Sequence, residues 1–171
     1  MNYPEGHLAI VQELLSGKFI LSDELFFTVI SENSNFYKQF FKESFNYEIE
    51  QTSEFIYLSS TQTNEKFSRN LMLLLGVLSY ELNLKGKNLY DGLAELYQIE
   101  DIEKIVEESS YKSICRKIEI EPMLRNDCRK RNIVTFINEG SAFKFTAAIN
   151  LFLERAKEIV VEVKEEHLED E

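Results

Sequence analysis

The stretch Leu71–Leu82, LMLLLGVLSYEL, is apolar on nearly every side and belongs to a helix expected from about Asn64 to Leu82. A helix without a polar face must be covered on more than one flank, so this segment demands a protein built around it. Its longest apolar run, Leu71–Leu78, is far below the roughly 20 apolar residues needed to cross a bilayer. The reading is a buried central helix between two halves of the chain, capped by Thr63, with Gly76 letting a neighbour approach closely at a propensity cost of about 1 kcal/mol.

The pattern before that helix is helical, then extended. Pro4 suits a first helical turn, and Leu8, Val11, Leu14 and Leu15 form a stripe that stops at Ser16-Gly17. After a short extended piece, Lys18-Phe19-Ile20, Ser22 reads as an N-cap with Asp23 and Glu24 in the first turn of a helix carrying Leu25, Phe26, Val29 and Ile30. Phe36, Tyr37, Phe40 and Phe41 mark a third helix with Ser34 as its cap. The period then changes to two: Phe45, Tyr47 and Ile49 alternate with polar residues, and Phe55–Leu58 resumes the pattern beyond a turn.

The same order returns after Lys85-Gly86-Lys87-Asn88. Leu89, Leu93 and Leu96 make one helix face, and Asp101 and Glu103 open another with Ile102, Ile105 and Val106. A longer stripe from Lys112 runs through Ile114, Ile118, Leu124 and Cys128, with Pro122 either kinking it or starting a second helix. Asn132–Ile137 and Ala142–Phe145 read as a hairpin, and Thr146 caps a last helix with Ile149, Leu151, Phe152 and Ile159. Helices followed by a β-hairpin, twice over, predict a mostly helical α+β protein of tandem winged-helix domains, although neither half repeats the other in sequence. The boundaries expected are 1–62 for the first domain, 63–84 for the connecting helix, 85–160 for the second domain and 161–171 for an acidic C-terminal tail.

The 171 residues carry a net charge of −11, which excludes a protein coated in positive charge. His7 and His167 lie near the two ends, so no metal-binding His pair and no Ser-His-Asp or Cys-His arrangement is at hand. Lys85-Gly86-Lys87-Asn88 lacks the glycine spacing and the Ser or Thr of a phosphate loop, and carboxylate pairs such as Glu107-Glu108 read as solvated faces. No enzymatic activity, cofactor, metal or small-molecule substrate is expected. Cys115 and Cys128 give no disulfide or metal spacing and read as buried thiols of a reducing compartment. The opening residues lack the features of a signal peptide, so the expectation is a soluble cytoplasmic protein with no membrane partner.

The charge is unevenly spread. Residues 111–146 hold 8 basic against 4 acidic side chains, while every other stretch is acidic. In a winged helix the third helix enters the major groove and the wing lies along the backbone. Here the helix ends Arg125-Asn126-Asp127-Cys128-Arg129-Lys130-Arg131 and the wing carries Lys144, so Arg125, Arg129, Lys130, Arg131 and Lys144 are the candidate DNA-binding residues. Arg125 and Arg129 are spaced to share a helix face, and Lys112, Arg116 and Lys117 lie one or more turns earlier. The competing account is that Arg129, Lys130 and Arg131 complement a helix C-terminus, worth roughly 0.3–1 kcal/mol each. Glu119, Glu121 and Asp127 interrupt the patch and argue against sequence-specific reading. Glu48, Glu50 and Glu54 turn the first hairpin away from DNA and leave that half for protein contacts.

The order SGKFILSDEL, FYKQFFKESFNYEIEQTSEFIYLSS, LMLLLGVLSYEL, NLYDGLAEL and CRKRNIVTFINEGSAFKFT resembles the MukE/MksE subunits of bacterial condensins, over about Leu14 to Lys157. The resemblance implies a non-enzymatic accessory subunit of two winged-helix domains, acting in chromosome organisation and segregation or in related plasmid defence. It implies a homodimer that binds a kleisin subunit beside an SMC ATPase, contacts double-stranded DNA non-specifically, and is nucleoid-associated. The five basic residues occupy the elements that face DNA in that family. The alternative function is a dimeric winged-helix transcription regulator reading a specific operator.

Overall fold

The computed structural model describes residues 3–59 and 65–155. The proposed Thr63 cap, Ile159 and the acidic segment 161–171 lie outside the described residues. The protein is α+β and mostly helical, with a three-stranded and a two-stranded antiparallel sheet.

The first half runs α1 (His7–Leu15), β1 (Ile20–Leu21), α2 (Leu25–Glu32), α3 (Ser34–Phe45), β2 (Glu48–Gln51) and β3 (Phe55–Ser59). Strand β3 is central, pairing β2 on one side and the short β1 on the other, with Ile20 opposite Ile56 and Ile49 opposite Leu58. Two helix starts differ from the sequence reading. Helix α1 begins at His7, beyond Pro4, whose carbonyl accepts from the His7 amide. Helix α2 begins at Leu25, preceded by Glu24; Ser22 lies one turn earlier, after β1, and its amide donates to the Glu54 carbonyl at 2.9 Å. Asn33, and not Ser34, is the residue preceding α3, and its side chain donates to the Val29 carbonyl.

Alternation along this sheet divides the interior of the molecule. Ile20, Ile49 and Ile56 face a first core with Ile10, Val11, Leu14, Ile30, Tyr37 and Phe41. Phe19 and Phe55 point the other way and join a second core, where Phe19 also meets Phe152. Successive strand residues project to opposite faces, so a period-two pattern serves two cores at once.

The second half comprises α4 (Glu65–Leu84), α5 (Leu89–Leu93), α6 (Ile99–Glu108), α7 (Lys112–Cys115), α8 (residues 120–130), β4 (Val134–Ile137), β5 (Ala142–Phe145) and α9, described over 149–155. Phe67, Leu71, Leu74, Leu75, Val77, Leu78 and Leu82 of α4 are all buried in the second core. Asp101 caps α6 by accepting the Gln98 amide at 2.9 Å. Residues 112–130 do not form one stripe, because residues 116–119 separate α7 from α8. Pro122 sits in the first turn of α8, where its missing N–H costs nothing, and Met123–Cys128 then continue with the wider π-type hydrogen bonding. Thr146 receives the Ala148 amide on its hydroxyl and donates that hydroxyl to the Asn132 carbonyl, so it ties the start of α9 to the end of α8.

Gly76 does not mediate a close approach. It lies on the exposed side of α4 with nothing within 4 Å of an added Cβ, whereas a Cβ at Gly92 would meet Leu82 at 2.8 Å. Close packing in this region therefore occurs where α5 crosses the end of α4. Gly76→Ala is expected to raise stability by about 0.5–1 kcal/mol, since the helix gains propensity and meets no neighbour. Gly92→Ala must displace Leu82 and is expected to lower stability, both read from denaturant midpoints.

His7 sits among the rings of Tyr3, Phe36, Tyr37 and Phe40, stacked on Tyr3 at 4.6 Å, with its Nδ1 buried and without a partner. Burial pulls its pKa below the usual 6.5. A histidine held neutral in the folded state contributes stability above its unfolded pKa, and that contribution is lost as pH falls through the lower folded value. The melting temperature should therefore fall as pH drops below about 6.5, and the fall should be shallower in His7→Phe, which keeps the ring packing but cannot take up the proton.

Candidate nucleic-acid interface

The five predicted residues do not form one patch. Arg125 and Arg129 converge on one ring, with guanidinium carbons 5.4 and 5.7 Å from the centroid of Phe136 on β4. The ring gives both cations a flat support from the hairpin. Arg125 is largely committed: it donates to Glu121 at 2.8 Å and to the Gly140 carbonyl at 3.1 Å, which fastens α8 to the hairpin turn. Arg129 and Lys130 are exposed and have no ion pair among the described residues. They are the free charge at the end of α8.

Arg131 has a different position and task. Its guanidinium lies 4.5 Å from the Phe67 ring, its NH1 donates to the Asp127 carbonyl and approaches the Asp127 carboxylate, and its side chain is only 19% exposed. That is the helix-end arrangement the competing electrostatic account describes, and it packs Arg131 against α4.

Lys144 is exposed on β5 and pairs across the hairpin with Thr135. Phe136 pairs with Phe143, one position along, and therefore projects from the opposite face. The wing lysine and the two arginines on Phe136 thus occupy opposite faces of one hairpin.

Lys112 is paired with Glu107 at 2.9 Å. Arg116 and Lys117 are exposed and meet Lys66 of α4 around a cleft of about 620 Å³, also lined by Phe67, Asn70 and Glu119. Lys66 lies about fifty residues away in sequence, and no local charge count could place it beside Arg116.

The end of α8 is locked to the first half of the protein. Asn132, in the left-handed region at φ 58°, donates its side-chain amide to the Phe19 carbonyl at 2.8 Å and to Glu24 Oε1 at 2.6 Å. The Phe19 amide in turn donates to the Arg131 carbonyl at 3.1 Å. Glu24 also accepts from the Leu21 amide and from Lys18, which bridges Glu13 and Glu24 at 2.9 Å each. Burial would lower the Lys18 pKa, but the hydrogen bonds and charges of Glu13 and Glu24 outweigh it and raise it. Glu24, expected as a dipole partner in the first turn of α2, is instead the hub of this lock. The only local hint was a carboxylate at a strand-helix junction.

Burial raises the thiol pKa of Cys115 and pushes that of Cys128 up to about 12, so both are poor nucleophiles. Among the described residues no three His, Cys, Asp or Glu side chains gather to hold a metal, and no helix is long and apolar enough to cross a membrane.

A family model for the condensin complex protein MksE matches residues 5–157, which includes every described element from α1 to α9. The chain belongs to this family. No curated protein matches it significantly. Membership in the MksE family makes it a component of an SMC-type condensin complex.

Asn132→Gly keeps the left-handed backbone but removes both side-chain hydrogen bonds, leaving the Phe19 carbonyl and Glu24 short of a donor. It is expected to cost about 1–3 kcal/mol in stability, measured by denaturant unfolding.

Proposed function

We propose that this protein is a non-enzymatic accessory subunit of an SMC–kleisin complex that binds the kleisin, dimerises, and contacts double-stranded DNA without sequence preference. The observation that carries the reading is the MksE family match across residues 5–157. It acts in chromosome organisation and segregation or in plasmid defence, in the cytoplasm at the nucleoid. Each half reads as a winged-helix unit, 1–62 and 85–160 about the helix 63–84, with helices followed by a β-hairpin.

Support for DNA contact comes from the distribution of charge. In a protein of net charge −11, Arg129 and Lys130 stand exposed at the end of α8 with no ion pair among the described residues, and Lys144 stands exposed on the wing. A few such cations give weak, salt-sensitive binding to phosphates, because affinity rests on releasing condensed counterions and the remaining surface repels the duplex. Partners that hold the protein near DNA would make such weak contact sufficient. Arg125 and Arg131 act mainly by shaping the surface, since both are engaged within the protein.

Co-purification with a kleisin and an SMC ATPase tests the assembly, and selection of a strong consensus from random DNA at physiological salt would instead favour an operator-reading regulator. Arg129→Ala/Lys130→Ala is expected to weaken duplex binding uniformly across sequences and to reduce the slope of log affinity against log salt by about 2. Arg131→Ala is expected to lower stability while leaving that slope nearly unchanged.

A further inference from the structure

The cleft between α4 and the turn leading into α8 is walled by three cations, Lys66, Arg116 and Lys117, with Asn70 and Phe67. None of the three has an ion pair among the described residues, although the chain carries 30 acidic side chains. Two carboxylates, Glu119 and Asp127, also line it, and Asp127 is already engaged by Arg131. The cleft is therefore a concave basic site in an acidic protein.

The most concentrated source of negative charge in the chain is Glu162-Val-Lys-Glu-Glu-His-Leu-Glu-Asp-Glu171, with six carboxylates against Lys164. Helix α9 packs beside the cleft: the Phe152 ring lies 6.3 Å from that of Phe67, which is part of the cleft wall. Arg155, the last described residue, lies beside Tyr57 of β3. From there to Glu165 is ten residues, a reach of up to roughly 33 Å if extended.

We propose that the acidic segment 162–171 docks in this cleft and shields its cations, and the neighbouring end of α8, from phosphates. Attraction between closely apposed opposite charges and the short tether both favour an intramolecular contact over capture of a second chain. Its consequence for DNA rests on the proposed function, whereas the docking does not. Duplex binding would be restrained until a partner or a high local phosphate concentration displaced the segment.

Zero-length carbodiimide cross-linking of the full chain, at low concentration and low salt, tests the docking. Links from Lys66 and Lys117 to carboxylates of 162–171 are expected within the monomer band, and are expected to fade at about 0.5 M salt, where screening acts within a few ångströms. They should also fade in a full-length variant with all six carboxylates changed to amides. Absence of these links, links spread equally over Lys38 and Lys104, or links only between chains would overturn the proposal. The amide variant is further expected to bind duplex DNA about five-fold more tightly at low salt. If links form but neither protein binds DNA, the docking stands and the DNA-contact reading fails; if the DNA affinities differ without links, the docking fails.

Discussion

Everything in this molecule is organised by a small sheet that faces two cores. Strands β1 and β3 place Ile20 and Ile56 into the first core, while Phe55 of β3 and Phe19, just before β1, join the second, so neither half can shift without exposing aromatic area that the other half covers. Burying a large apolar side chain is worth roughly 1.5–3 kcal/mol, and Phe19, Phe55, Phe67 and Phe152 meet at this junction. The helix α4 adds its own buried face to the second core. A chain of 171 residues therefore behaves as two packed units sharing one layer.

Polar contacts give that junction its register. The apolar surface would tolerate small rotations, but Asn132 must satisfy the Phe19 carbonyl and Glu24 together, and Phe19 must reach the Arg131 carbonyl. Directional bonds in a partly buried setting are costly to leave unmade, so they select one arrangement among those of similar apolar burial. The residue next to Arg131 in this network is Lys130. The exposed basic end of α8 is thus held in a fixed relation to the first half of the protein, which gives the family's condensin setting a rigid surface to present.

Much was legible beforehand. The α+β class, the long apolar helix and both hairpins follow from periods of 3.6 and 2 that run over enough residues to be unambiguous, and the order of spaced patterns was sufficient to place the family. The helix starts were less legible, because Ser22 is as good a cap as any until the chain is seen to make a turn from Leu21 to Glu24 before the helix begins at Leu25. The basic window 111–146 was visible as a charge count, but not its division. Arg125 and Arg129 share a ring, Arg131 faces inward, and Lys144 lies across the hairpin.

The sequence by itself determined which segments must be covered and where positive charge is concentrated, since hydrophobic period and formal charge are local properties of the chain. Only the tertiary structure decided which cations remain free, that Lys66 joins Arg116 and Lys117 around a cleft, and that Glu24 serves Asn132 rather than its own helix. Those outcomes depend on pairings between residues about fifty to more than a hundred positions apart. Such pairings are settled by how the two cores pack against one sheet, and no pattern confined to a window of sequence contains them.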